Sequence, residues 1–407
     1  MPKITEYEPI VGTHTIEELR LLANRLYGKV IQNINSTAVG GGVAEILNRL
    51  VPLLRELGVD VKWDVIKGGD DFFQVTKKFH NALHGKPEEI TPQMLEVFLE
   101  TSQRNIDELK VYGDILFIHD PQPIALIRKK PSMPNGKWIW RCHIDVSTPI
   151  KQVWDFLTPF IHQYDGAVFS APVFSQPLPI RQFLESPSID PLSDKNKDLP
   201  QEIIDQVLDK YRIPVDKPII TQVSRFDYLK DPVGVIEAYR MVKKRIDCRL
   251  IIAGGTATDD PESNKVFEDT KEAAGDDKDI HILPIPSGSD TEINALQRAS
   301  TVIVQKSLRE GFGLTVTEAL WKAKPVVASS TGGIPLQVKH KYTGLLCHSI
   351  PGTAFAIKQL LNSTEYAKKL GENGREHVRQ NFLLTRQVRD FMLLSLCMYH
   401  PEDIIYL

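Results

Sequence analysis

Cysteine is scarce in this chain. Its 407 residues include four cysteines, which lie far apart and form neither a CxxC motif nor a zinc-like spacing. Thiols scattered in this way are typical of a protein kept reduced in the cytoplasm. We therefore expect a cytoplasmic protein, and we predict no metal site.

Long apolar runs are missing as well. The most apolar segment near the C-terminus, FMLLSLCMY, has nine residues. A membrane-spanning helix needs about 20. The N-terminal stretch MPKITEYEPI carries acids and no apolar run, unlike a signal peptide. We expect no membrane partner.

Neither sign of charge is in excess. Lys and Arg number 49 against 52 Asp and Glu, for a net charge of −3. Proteins that bind nucleic acid usually display a basic face, so we expect no nucleic-acid partner. A length of 407 residues exceeds one ordinary core and suits two domains of about 200 residues.

Short apolar segments alternate with segments of helical period along the chain. In the first half, strands are predicted at 28–36, 60–66, 114–121, 137–145 and 166–172, and an amphipathic helix at 42–58. A second series, which includes KPIITQVSRF, CRLIIAGG and TVIVQKS, begins near residue 217. This order predicts an α/β fold with parallel, doubly wound sheets.

The composition changes between about 177 and 218, where the chain is rich in proline, serine and charge. We interpret this stretch as a linker region. It separates a Rossmann-like domain at 1–213 from a second one at 214–381, and the two are expected to face a central cleft. The helical segment 382–407 is a candidate to return to the first domain. Ligands in such folds bind at the carboxyl ends of the strands.

Three glycines, Gly40, Gly41 and Gly42, follow the first predicted strand and open the first helix. They let the backbone approach a ligand closely and leave amides for a phosphate. The pattern is not G-x-G-x-x-G, so a nicotinamide dinucleotide is not indicated. The alternative is a flexible turn.

Polar pairs end two other predicted strands. His119 and Asp120 end one, and His143 and Asp145 end the other. At strand ends these side chains can bind sugar hydroxyls. The alternative is that the carboxylates cap loops and that the histidines are satisfied locally.

Two cations follow the first strand of the second series. Arg225 and Lys230 are five residues apart in VSRFDYLKDP, within reach of one diphosphate. Arginine supplies a planar fork and lysine a point charge, which together neutralise such a leaving group. The alternative is ordinary surface charge.

The stretch REGFGLTVTEALWKAKPVVASSTGG places Glu310 and Glu318 around a turn with Gly311 and Gly313. A helix start with bare amides attracts anions, so the added carboxylates suit a ligand with anionic and hydroxyl parts, such as a phosphorylated sugar. The alternative for Glu318 is a capping box that begins at Thr315.

Together these residues resemble the retaining glycosyltransferases of family 4, which have the GT-B fold, over nearly the whole chain. Glu310-x7-Glu318 is similar to the donor-sugar signature of that family, and Arg225 with Lys230 to its phosphate-binding pair. The strings GGGVAEIL, IHDPQP, WRCHID and PSIDPLS are similar to trehalose synthases, which transfer glucose from a nucleoside-diphosphate glucose to free glucose. The segments 173–187 and 338–342 depart from the usual pattern.

The resemblance implies a role for each candidate residue. His143, Arg225, Lys230 and Glu310 would be catalytic. The donor would contact Gly41, Gly42, Arg225, Lys230, Glu310, Gly311, Phe312, Gly313, Leu314 and Glu318, with Glu318 on the ribose. The sugar would contact Gly40, His119, Asp120, His143 and Asp145, with Asp120 on the acceptor glucose.

The implied reaction needs no cofactor. Its donor substrate is ADP-glucose or UDP-glucose, and Mg²⁺ would enter only with the diphosphate. The sequence leaves the oligomeric state open, with a homodimer as the candidate. It also leaves four other functions open: a phosphorylase that uses glucose 1-phosphate, another family 4 glycosyltransferase, a sugar-nucleotide epimerase, and a non-catalytic sugar-nucleotide sensor.

Overall fold

Each half of the chain builds one parallel sheet in the computed structural model, which describes residues 2–39, 42–255, 261–286, 288–400 and 402. Within these residues the strands are β1 (Val30–Asn35), β2 (Asp60–Val65), β3 (Ile115–His119), β4 (Lys137–Arg141), β5 (Gly166–Phe169), β6 (Arg181–Leu184), β7 (Ile219–Val223), β8 (Arg249–Gly254), β9 (Ile280–Pro284), β10 (Val302–Gln305), β11 (Val326–Ser329) and β12 (Leu345–Cys347).

The helices of the same described residues follow the chain between and around these strands. They are α1 (Glu8–Val11), α2 (Thr13–Arg25), α3 (Gly42–Glu56), α4 (Asp70–Leu83), α5 (Pro92–Glu108), α6 (Lys151–Ile161), α7 (Gln201–Lys210), α8 (Pro232–Lys243), α9 (Pro261–Ala274), α10 (Asp290–Ala299), α11 (Leu314–Trp321), α12 (Ile334–Gln337), α13 (Ile350–Asn362), α14 (Thr364–Asn381) and α15 (Leu384–Cys397). Short 3₁₀ helices lie at Ile4–Tyr7, Ile124–Ser132, Pro172–Phe174 and Tyr228–Lys230.

The first sheet has the order β2-β1-β3-β4-β5-β6, and its strand pairs are parallel. The chain leaves β1 toward β2 on one side and later returns to add β3 on the other. The junction of β1 and β3 is therefore a switch point of the sheet, where a crevice forms at the carboxyl ends of the strands.

The second sheet has the order β12-β11-β10-β7-β8-β9, again with parallel pairs. Counted from β9, this is the Rossmann order, and its switch point lies between β7 and β10. The prediction of an α/β fold with two doubly wound parallel sheets is confirmed.

Burial explains why these segments become strands and helices. All residues of β3, β7 and β8 are buried, as expected for strands covered by helices on both faces. In α3 the buried residues repeat at helical spacing on one face: Ala44, Leu47, Leu50, Val51 and Leu54.

The two units of the structure divide differently from the predicted domains. The first unit comprises 1–187 and 384–407, and the second comprises 188–383. Residues 188–213 therefore join the second unit, where Ile204 and Val207 of α7 pack with Ile219 and Ile251. Composition does not specify which core takes the apolar face of α7, so packing decides it.

The C-terminal helix α15 belongs to the first unit. The ring of Phe391 stacks on Phe117 of β3 with centroids 4.3 Å apart. Gln387 Nε2 donates to Glu185 Oε1 over 3.0 Å. Within the described residues, no helix combines the length and apolar character that a membrane span requires.

We predict that Phe391→Ala destabilises the protein by about 3–5 kcal/mol, because it opens a cavity beside β3. The control is Phe355→Ala, at a phenylalanine that is 67% exposed; its effect should stay within about 0.5 kcal/mol. Urea denaturation measures both. Equal effects of the two substitutions would contradict the docking of α15.

Candidate active site

The polar cluster of the first unit lies at the switch point between β1 and β3. His119 is the last residue of β3 and pairs in register with Arg141, the last residue of β4. Asn33 of β1 pairs with Phe117. The parallel pairing thus brings polar side chains from three strands to one edge of the sheet.

Two histidines and an asparagine form a chain of hydrogen bonds at this edge. His119 Nδ1 lies 3.0 Å from His143 Nε2, and His119 Nε2 lies 3.0 Å from Asn33 Oδ1. His119 is buried, whereas His143 is partly exposed. The structure therefore brings the two predicted histidines together.

Both histidines are held neutral. Burial and the charge of Arg141 lower the pKa of His119 to about 3. Burial, Arg141 and His119 lower the pKa of His143 well below its usual range. Neither ring carries a charge at pH 7, so the pair acts through hydrogen bonds.

Asp120 connects the ends of β3 and β4. Its φ of 64° is rare for a residue other than glycine and marks local backbone strain. Its Oδ1 accepts from the backbone N–H of His143 over 2.8 Å. Burial raises the pKa of Asp120 to about 7, while the His143 amide and Arg141 oppose the rise.

The Asp145 carboxylate accepts hydrogen bonds from a residue two positions along the chain. Its Oδ1 accepts from the backbone N–H of Ser147 over 2.9 Å and from the Ser147 hydroxyl over 2.6 Å. This geometry matches the alternative in which the carboxylate caps a loop. Of the glycine loop, Gly42 begins α3, whereas Gly40 and Gly41 lie outside the described residues.

In the second unit, Lys230 and Glu310 form a buried ion pair at the switch point between β7 and β10. Lys230 Nζ lies 2.7 Å from both carboxylate oxygens. Ser307 Oγ donates to Glu310 Oε2 over 3.0 Å. The side chains of Lys230 and Glu310 are 16% and 9% exposed. Two of the predicted residues are thus in direct contact.

Arg225 occupies the same loop but lies at the surface. Its side chain is 73% exposed and contacts Asp227 Oδ2 at 3.3 Å. An exposed guanidinium whose contact with Asp227 is weak is available for an anionic ligand.

Two glycine turns shape the backbone around Glu310. Gly313, with φ of 84°, is the residue before α11, whose first amides lack partners within the helix. A Cβ on Gly332, which has φ of 54°, would lie 1.6 Å from the carbonyl oxygen of Glu310. The N–H of Gly333 donates to Gly311 over 2.9 Å. The second turn therefore supports the first.

Glu318 is not part of a capping box. The helix α11 begins at Leu314, and Gly313 supplies no side-chain cap. A capping box needs its acid three residues after the cap, whereas Glu318 lies in the second turn. That alternative is wrong, and Glu318 is a buried acid, 5% exposed.

Sequence reasoning missed three polar residues near these sites: Asn33, Ser307 and Lys322. Lys322 Nζ donates to the Glu318 carbonyl and to Asn196 Oδ1, each over 3.2 Å. Burial lowers the pKa of Lys322 to about 7, although Glu318 acts in the opposite direction. The sequence pattern could have indicated Asn33, because it is a polar residue inside the strand VIQNIN.

Among the described residues, no group of three or more His, Cys, Asp or Glu side chains is placed to hold a metal ion.

We predict that Lys230→Met destabilises the second unit by about 3 kcal/mol, because it leaves the Glu310 carboxylate buried without its cation. The double variant Lys230→Met, Glu310→Gln should recover most of this loss. Urea denaturation of the wild type and both variants checks the expectation. A double variant as unstable as the single one would show that the ion pair is not the cause.

Two family models match separate parts of the chain. Residues 33–176 match the model of the trehalose synthase N-terminal domain, and residues 204–377 match the glycosyl transferases group 1 model. A trehalose synthase from Rubrobacter xylanophilus is 44% identical over 401 residues, which cover 96% of each chain.

More distant similarities have a different extent. A trehalose phosphorylase from Pleurotus pulmonarius is 30% identical, and the match covers 92% of this chain but 58% of that protein. The structure of a UDP-forming α,α-trehalose-phosphate synthase from Burkholderia xenovorans aligns with a TM-score of 0.72 at 16% identity, covering 92% of this chain and all of that one.

The likeness to the solved structure establishes the fold, and the near-complete match to the curated relative establishes the family. The chain therefore belongs to the trehalose synthase family of group 1 glycosyltransferases and is an enzyme with the GT-B fold.

Proposed function

We propose that this enzyme transfers glucose from a nucleoside-diphosphate glucose, ADP-glucose or UDP-glucose, to free glucose, with retention at the anomeric carbon. The product is trehalose, and the transfer is reversible. The match to the trehalose synthase N-terminal domain supports the disaccharide, and the match to group 1 glycosyltransferases supports a nucleotide-sugar donor.

The observation that carries the proposal is the largely buried Lys230–Glu310 pair at the switch point of the second sheet, with the exposed guanidinium of Arg225 in the same loop as Lys230. Two cations in one loop suit a diphosphate, and a carboxylate beside them suits sugar hydroxyls. In the proposed complex, Glu310 and the amides from Gly311 to Leu314 bind the donor hexose, and Glu318 binds the ribose.

The first unit contributes the sugar-binding side of the reaction in this proposal. Asp120 binds the acceptor glucose, and His143 lies beside the donor glucose and the reacting carbon. The sequence also predicts sugar contacts for His119 and Asp145. Gly42, with Gly40 and Gly41, meets the donor phosphates and the acceptor.

The proposed mechanism is a front-face substitution. The bond between the anomeric carbon and the diphosphate breaks through an oxocarbenium-like state, and its electron pair leaves with the diphosphate. Arg225 and Lys230 stabilise that developing charge. The acceptor hydroxyl attacks from the same face, and its proton passes to the departing phosphate oxygen. Positioning replaces a side-chain nucleophile.

A phosphorylase is the nearest alternative, because a trehalose phosphorylase is among the relatives. A phosphorylase uses glucose 1-phosphate and has no ribose to bind, so the buried Glu318 favours the nucleotide donor. An epimerase would release no disaccharide, and a sensor would turn over no substrate.

The proposal keeps a cytoplasmic location and no resident cofactor. Mg²⁺ would act through the diphosphate of the donor rather than through a protein site. A homodimer remains the candidate assembly, which sedimentation of the purified protein measures directly.

Product analysis tests the proposal. We expect trehalose and free nucleoside diphosphate after incubation with ADP-glucose or UDP-glucose and free glucose. Chromatography of the products, with glucose 1-phosphate as a parallel donor, checks this. Trehalose from glucose 1-phosphate alone would make the protein a phosphorylase and remove the role of Glu318. Absence of any disaccharide would overturn the substrate assignment.

We also predict that Arg225→Ala lowers kcat by about 10²-fold, because it removes a charge that stabilises the leaving diphosphate. The KM for glucose should change less than about twofold, since an acceptor bound by other residues is unaffected. Arg245→Ala, at an exposed arginine after α8, is the control. Equal losses in turnover and acceptor binding would contradict the leaving-group role.

A further inference from the structure

Asn33 is fully buried in the first sheet. Its Oδ1 lies 3.0 Å from His119 Nε2, while its buried Nδ2 makes no hydrogen bond within the described residues. Burying an amide with one donor unsatisfied costs free energy. The unsatisfied Nδ2 makes an asparagine costly at this strand position, and the hydrogen bond to His119 is its distinguishing contact.

His119 has no ring nitrogen left for a substrate. Nε2 faces Asn33 and Nδ1 faces His143, and the side chain is 5% exposed. His143 is different, because it is partly exposed and its Nδ1 makes no hydrogen bond within the described part of the chain. His119 thus connects a buried amide to the histidine that can reach a ligand.

Counting protons along the series of hydrogen bonds from Asn33 to His143 determines the tautomer of each imidazole ring. Both rings are neutral, so each carries one N–H. An amide oxygen only accepts hydrogen bonds, so the proton of His119 is on Nε2. The Nδ1 atom of His119 then carries a lone pair and accepts a hydrogen bond. His143 must then donate to that lone pair from its own Nε2, which leaves Nδ1 of His143 as an acceptor.

We propose that Asn33 and His119 are positioning residues that hold His143 in the Nε2–H tautomer, so that Nδ1 of His143 accepts a hydrogen bond from a glucose hydroxyl. The proposal deepens the proposed function, on which the contact with glucose rests. In this proposal His119 does not contact the sugar directly but orients His143, which does. It also requires a hydroxyl donor at that place on the sugar.

The opposite arrangement makes a distinct prediction. If Oδ1 and Nδ2 of Asn33 exchanged places, Nδ2 would donate to His119. The donor and acceptor of each hydrogen bond from Asn33 to His143 would then exchange roles. His143 would then carry its proton on Nδ1 and would donate to the ligand. The tautomer of His143 therefore decides between the two arrangements.

Nitrogen NMR of the full-length protein, labelled with ¹⁵N-histidine, measures that tautomer without any substrate. We expect the neutral Nε2–H form for His119 and His143 at pH 7, with the signals assigned through His119→Gln and His143→Gln. A neutral Nδ1–H form or an imidazolium at His143 would overturn the proposal.

Asn33→Leu tests the functional consequence. The substitution removes the unsatisfied NH₂ group but leaves the buried Nε2–H of His119 without an acceptor, so the midpoint of urea denaturation should fall. The kcat should fall about tenfold, as expected when one hydrogen bond is lost, with the KM for the nucleotide sugar nearly unchanged. The NMR signals of His143 should then show a mixture of tautomers.

Asn105→Leu is the matched control. Asn105 is also buried, and its side chain bonds the backbone of Lys67 in both directions over 2.7 Å. Its loss should destabilise the protein while kcat and the tautomer of His143 stay unchanged. An Asn33→Leu variant that behaves like this control would reduce Asn33 to a structural role.

The two kinds of measurement separate this proposal from the proposed function. If the enzyme joins another pair of sugars, the tautomer result is unaffected and kcat is measured with that pair. If trehalose forms but His143 carries its proton on Nδ1, the function stands and the positioning role is overturned.

Discussion

The pairing of β1 with β3, and of β7 with β10, is the constraint on which both sites depend. At each junction the sheet is extended from both sides of its first strand, so the loops that follow diverge and open a crevice. Residues that are 80 positions apart, such as Lys230 and Glu310, meet there because parallel strands end at the same edge.

The two sites use burial in opposite ways. In the first unit, burial beside Arg141 holds His119 and His143 neutral. The direction of the hydrogen bonds then decides which ring nitrogens donate and which accept. In the second unit, Lys230 and Glu310 form a largely buried ion pair, with 2.7 Å between Nζ and the carboxylate oxygen. A neutral cluster suits sugar hydroxyls, and a charged one suits a diphosphate and the hexose attached to it.

Residues outside the reacting groups set the geometry of both sites. Asp120 adopts a positive φ and bonds the backbone of His143. Gly332 approaches the carbonyl of Glu310 so closely that no Cβ fits. Lys322 Nζ donates hydrogen bonds to both the carbonyl of Glu318 and the side chain of Asn196. These contacts cost strain or desolvation, which is typical of functional sites rather than of regions that serve stability alone.

The sequence by itself determined the fold class, because apolar runs of strand length alternating with amphipathic helices have few other solutions. It also placed His119 at the end of a strand and His143, Arg225, Lys230 and Glu310 in the segments that follow strands, since the carboxyl ends of parallel strands meet at one sheet edge. Tertiary structure decided the rest. The packing of α7 moved the unit boundary to 187, because an amphipathic face does not specify its partner core. The first residue of α11 excluded the capping box at Glu318. Asn33 reached His119 only through the register of two strands more than 80 residues apart in sequence, and such long-range pairing leaves no mark in a local pattern.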